Sequence, residues 1–128
     1  MDERIDALLK KAQKFLRSAA VLFELEDFDS TASRAYFSMF FAAQAALLQE
    51  TQALSSKQGI RSAFIRRFVE QGPLPERAGD ALQRAADLQE IGDYAYDFAV
   101  SGADAEMILS EAEAFVNSLE NLIKRPVA

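Results

Sequence analysis

Apolar residues recur along most of this chain at three- and four-residue spacing, the period of a helix laid against a core, and nowhere with the two-residue alternation of a strand. Ile5, Leu8, Leu9, Ala12, Leu16, Ala19, Leu22 and Phe23 form one such stripe and predict a helix over residues 3–26. A second helix is expected to start at Asp29 or Ser30, whose side chains accept from free backbone amides, and to run to about residue 49. It differs from the first, because Ser33 to Leu48 reads SRAYFSMFFAAQAALL and is apolar on nearly every side. Tyr36, Phe40, Ala43 and Leu47 follow one stripe, and Phe37, Phe41, Ala45 and Leu48 a neighbouring one. Such a helix is either central in its own bundle or shared with a second subunit. Tyr36, Phe37, Phe40, Phe41 and Gln44 are therefore expected in the core or in a dimer interface.

Ser55 or Ser56 is expected to cap a shorter third helix, with Ile60, Ala63, Phe64 and Phe68 inward, stopped by Gly72 and the prolines Pro73 and Pro75. Residues 76–94 read as a fourth helix carrying Leu82, Ala85, Ala86 and Leu88, weakened by Gly79 and Gly92. Ser101, Gly102 and Asp104 punctuate the chain before a fifth, in which Ile108, Ala112, Phe115, Leu119 and Leu122 face inward down to Lys124. The expectation is an all-α fold: helices one, two, four and five in an antiparallel four-helix bundle, the short third packed across one end, and residues 1–128 forming a single domain.

Composition narrows the chemistry. The chain has 128 residues, enough to bury a real core without staples, and contains no cysteine and no histidine. Those absences remove the commonest thiol nucleophile, general base and metal ligand together. Fourteen basic against 20 acidic residues give a formal charge of −6, which works against binding a phosphate backbone unaided. The N-terminal stretch is too charged for an export signal, and no apolar run approaches the ~20 residues of a membrane span, so a cytoplasmic location is expected.

Several side chains invite a functional reading beside a structural one. Asp93, Tyr94 and Tyr96 gather near the end of helix four and could form a nucleotide or partner surface, or could simply pack and hydrogen-bond at a bundle end. Arg34 is placed to pair with Glu24, Glu26 or Asp27 across the turn. Lys57, Arg61, Arg66 and Arg67 spread around helix three instead of lining one stripe. The acids Glu24, Glu26, Asp27 and Asp29 cluster at one turn, unlike the inward carboxylates of a metal-binding bundle, so neither a metal site nor a cofactor is expected.

RAYFSMFFAAQAALL at 34–48, SKQGIRSAFIRRFVEQGPL at 56–74 and GDY at 92–94 together resemble the HEPN superfamily. The likeness is strongest to the branch reading roughly AYYAMFHAA, then KH-G-I-SAF–FV–G, then R-x-x-A-D-Y, and it covers nearly the whole chain. The resemblance implies a helical bundle, a tendency to dimerise and frequent pairing with a small nucleotidyltransferase. Many members are metal-independent ribonucleases using an arginine–histidine pair from each of two subunits, and some are toxins restrained by their partner. This sequence departs from the pattern where chemistry is concerned: Phe41 and Gln58 stand where the branch often has histidines, and Gln89 where it often has the arginine. RNA cleavage needs groups that accept and donate protons near neutrality, and aspartate and tyrosine have ordinary pKa values of about 4 and about 10. The expectation is a catalytically degenerate member acting as a homodimer and as partner of a nucleotidyltransferase in a toxin–antitoxin or stress module, with Gln89, Asp93, Tyr94 and Tyr96 as its ligand or partner surface. Alternatives are a degenerate ribonuclease and a helical scaffold with no nucleotide ligand.

Overall fold

A computed structural model describes residues 2–50 and 56–125. Helix α1 spans Glu3–Glu24, α2 Phe28–Glu50, α3 Lys57–Phe64, α4 Glu76–Tyr94 and α5 Gly102–Ile123, and a π-helical turn, Ile65–Glu70, prolongs α3. No strand occurs among the described residues. Side-chain oxygens cap the helices locally: Asp2 accepts from the Arg4 amide at 2.7 Å, Ser56 from Gly59 at 2.9 Å and Ser101 from Asp104 at 3.0 Å. Ser55, the other candidate cap for α3, lies outside the described residues.

The start of α2 differs from expectation. Asp27, not Asp29 or Ser30, caps it, its carboxylate accepting from the Ser30 amide at 3.2 Å. Asp29 lies within the first turn of α2 and accepts from the Val100 amide at 2.8 Å, so its carboxylate ties α2 to the segment before α5. Helix α1 likewise stops two residues earlier than its apolar stripe implies. The Asp27 amide reaches back to the Leu22 carbonyl and the Glu26 amide to Phe23, with Glu26 at φ 61°. This closing loop places a left-handed residue just past the helix, a position usually held by glycine.

Interhelix bonds fix the topology. Ser33 to Asp93 joins the start of α2 to the end of α4, Arg84 to Glu111 joins α4 to α5, and Gln13 to Glu120 joins α1 to α5. Helices α2 and α5 run parallel, linked at one end by Asp29 and Val100 and at the other by Gln49 and the Ile123 carbonyl. The result is the expected up-and-down four-helix bundle, but α3, expected across one end, lies along α2, with Lys57 over Phe37 and Arg67 paired with Glu50. Helix α2 is its centre. Ala32, Ala35, Ala42, Ala43, Ala45 and Ala46 are all buried, and these small side chains let α1, α4 and α5 pack against one helix at once.

That centrality resolves where the aromatic helix goes. Tyr36 and Phe40 lie in the core of the monomer, while Phe37, Phe41 and Gln44 are half-buried on its surface. Gly92, read from sequence as a weak point of α4, is instead required by packing. A Cβ there would sit 2.8 Å from the Asp29 carbonyl oxygen, so glycine lets α4 touch the backbone of α2.

Candidate functional site

The close approach at Gly92 brings the next residue, Asp93, onto α2. Its Oδ2 accepts from the Ser33 hydroxyl at 3.0 Å and from the Gln89 side-chain amide at 2.8 Å. Gln89 is one helical turn earlier and only 7% exposed. Gln89 therefore lies beneath Asp93 and orients its carboxylate. A carboxylate held by two donors on two helices is a rigid, charged fixture at the exit of α4.

The two tyrosines beside it behave differently. Tyr94 is 73% exposed and Tyr96 99%, and neither ring packs into the bundle. Phe98, which the sequence reading did not single out, is 72% exposed on the same connection to α5. Three aromatics within five residues, YAYDF, which cannot share one face of a helix, were the available signal.

A second polar junction involves residues considered separately in sequence. Arg61 on α3 donates to the hydroxyl of buried Tyr36 at 2.8 Å. Burial pushes the Tyr36 phenol above its ordinary range, the Arg61 guanidinium opposes that shift, and Glu90 on α4 adds to it. This bond joins α2 to α3 and satisfies a hydroxyl that would otherwise be stranded in the core.

The cations on the outer face of α1, α2 and α3 cover rings. Arg34 makes no ion pair with the acids of the α1–α2 turn and lies over Phe15 at 4.7 Å from its centroid. Lys11 covers Phe41 and Lys57 covers Phe37, each at 4.9 Å. Arg67 pairs with Glu50, and Arg66 is exposed, so the four cations of the α3 region do not converge. Among the described residues no acidic cluster is arranged to hold a metal ion, and no helix is long and apolar enough to cross a membrane.

An up-and-down helical bundle whose fourth helix ends in an aspartate braced against the second, followed by an exposed tyrosine, defines a small all-α domain of one recognisable type. The chain belongs to the HEPN domain family, whose model matches residues 5–122. A Methanocaldococcus jannaschii protein named as a "putative toxin" is 31% identical over 122 residues, covering 95% of this chain and 90% of that protein. An Archaeoglobus fulgidus protein named UPF0332 is 33% identical over 125 residues, 98% of each chain. A crystal structure from Thermus thermophilus superposes with a TM-score of 0.79 over 94% of this chain and 98% of its own, at 18% identity, which speaks for the fold alone.

Proposed function

We propose that this HEPN protein works by association and not by catalysis, as a cytoplasmic homodimer and as the partner of a small nucleotidyltransferase in a toxin–antitoxin or stress module, with residues 1–128 acting as one domain. One observation carries this reading. At the position where the related branch often has an arginine, Gln89 is turned inward onto Asp93, and the Asp93 carboxylate is occupied in bracing α4 against α2. With no histidine, the chain lacks the side chain best suited to proton transfer near neutral pH. The toxin naming of an archaeal relative supports the module, and half-buried Phe37, Phe41 and Gln44 offer a face for a second copy.

Two measurements test the reading. Sedimentation at about 100 µM should give a dimer, since a standard interface associates more tightly than that. Recovery of the tagged protein from its native host should bring down a nucleotidyltransferase. RNA cleavage that is present in wild type and lost in Asp93→Asn or Tyr94→Phe, with all three prepared identically, would overturn the non-catalytic reading in favour of a ribonuclease that works without histidine.

A further inference from the structure

Among the described residues, the large apolar side chains that remain exposed are not scattered over the bundle. Val21 and Leu25 lie at the end of α1, Ile91 and Tyr94 in the last turn of α4, Tyr96 and Phe98 on the connection to α5, and Met107 in the second turn of α5. All belong to the end where α1 and α4 finish and α2 and α5 begin. That end is assembled tightly: Phe23 meets Phe28 with ring centroids 5.7 Å apart, Phe28 lies under Gly102, and Asp29 holds Val100. Burying Tyr94, Tyr96 and Phe98 alone would remove about 500 Å² from water. A standard protein interface uses about 800 Å² per partner, so these three rings are most of one.

Charge at the same end is mostly negative: of the cations that border it, Arg34, next to the Ser33 that bonds Asp93, lies over Phe15, and Arg61 donates to Tyr36. No lysine or arginine occurs between Arg17 and Arg34, nor between Arg84 and Lys124. Glu24, Glu26, Asp27, Glu90, Asp93, Asp97, Asp104 and Glu106 are all exposed there, and none of them joins an ion pair among the described residues. Glu26 also keeps its carboxylate at a left-handed backbone position where glycine would be less strained. Stacked bases would find aromatic rings here, but their phosphates would face mostly carboxylates, with Arg34 and Arg61 at the border already set against Phe15 and Tyr36, which favours a protein occupant over nucleic acid.

We infer that the end of the bundle around Tyr94, Tyr96 and Phe98 is a docking surface for a cationic, amphipathic segment of a protein partner. Apolar side chains of that segment cover the three rings, and its lysines and arginines meet the surrounding carboxylates. This deepens the partner-binding reading above and rests on it, by stating the chemistry that a partner must bring.

The test uses two synthetic peptides of about 18 residues, about 27 Å long as helices, with an identical leucine stripe and either lysine or glutamate on the polar face. Each is titrated into the full-length protein by fluorescence anisotropy at about 0.15 M salt, where the screening length is about 8 Å. The leucine/lysine peptide should bind and the leucine/glutamate peptide should not. The double variant Tyr96→Ser/Phe98→Ser leaves the net charge unchanged and alters only exposed side chains, and it should weaken binding at least about tenfold. Amide shifts on binding should concentrate at residues 91–98 and 24–27.

Equal binding by the double variant, shifts confined to α1 or α3, absence of binding, or displacement of the peptide by a short single-stranded RNA would each overturn the inference. A native partner whose binding ignores the double variant would overturn this surface and leave association standing. Failure to recover any partner, with peptide binding intact at this end, would count against the broader reading alone.

Discussion

Asp93 on α4 accepts from Ser33 on α2 across 60 positions of sequence, at 3.0 Å, through the same oxygen that accepts from Gln89. The arrangement depends on Gly92, since any side chain there would lift α4 off the Asp29 carbonyl and carry Asp93 out of reach.

Replacing Asp93 by alanine leaves the buried Gln89 amide without its acceptor and removes the bond to Ser33. Urea denaturation should show a loss of about 1–2 kcal/mol, with the asparagine variant retaining part of it. Unchanged stability would mean that the pair is replaced by water without cost.

Gly92→Ala provides a test with an unusual sign. In an ordinary helix interior alanine is favoured over glycine by about 1 kcal/mol. Here its Cβ would meet a backbone oxygen at 2.8 Å, and thermal unfolding should show destabilisation of about 1–3 kcal/mol.

Glu26→Gly should act oppositely, since glycine relieves the left-handed strain at φ 61°. A gain of about 1 kcal/mol in chemical denaturation is expected, together with weaker binding of the cationic peptide because a carboxylate has been lost.

Tyr36 gives the protein an alkaline weakness. Burial raises its folded pKa above the ordinary 10.0, with Arg61 pulling it partly back. The unfolded chain therefore loses this proton first. Stability is unaffected by the group below the ordinary value and declines as pH rises through it toward the raised folded value. Denaturation at a series of alkaline pH values should show this slope in wild type, and its Tyr36 contribution should vanish in Tyr36→Phe.

How much of this was legible beforehand follows from the range of each interaction. The helices and the Ser56 cap of α3 are legible in the sequence, because a side chain's place on a helix face or at a helix start is set by residues within a turn or two of it. The resemblance carried by the second, third and fourth helical segments likewise pointed to the HEPN fold, to which the chain belongs. Arg34 escaped that logic: its acidic neighbours were close in sequence, but α1 and α2 pack so that the ring of Phe15 lies under the guanidinium.

Only the tertiary structure decided the remainder, since each case requires two distant segments to meet. Local propensity reads Gly92 as a defect, and the carbonyl of Asp29 makes it a necessity. Gln89 and Asp93 look alike as surface polars on one helix until α2 buries the first and braces the second. Phe98 and Leu25 are ordinary core-forming residues by type, and they stay in water because the bundle closes beneath them, with Asp29 holding Val100 and Phe28 filling the space under Gly102. The sequence by itself determined which residues are apolar and how they repeat along each helix. Which apolar residues the bundle leaves uncovered depended on how its ends close, because burial is a property of neighbours brought together by the fold and not of the residue alone.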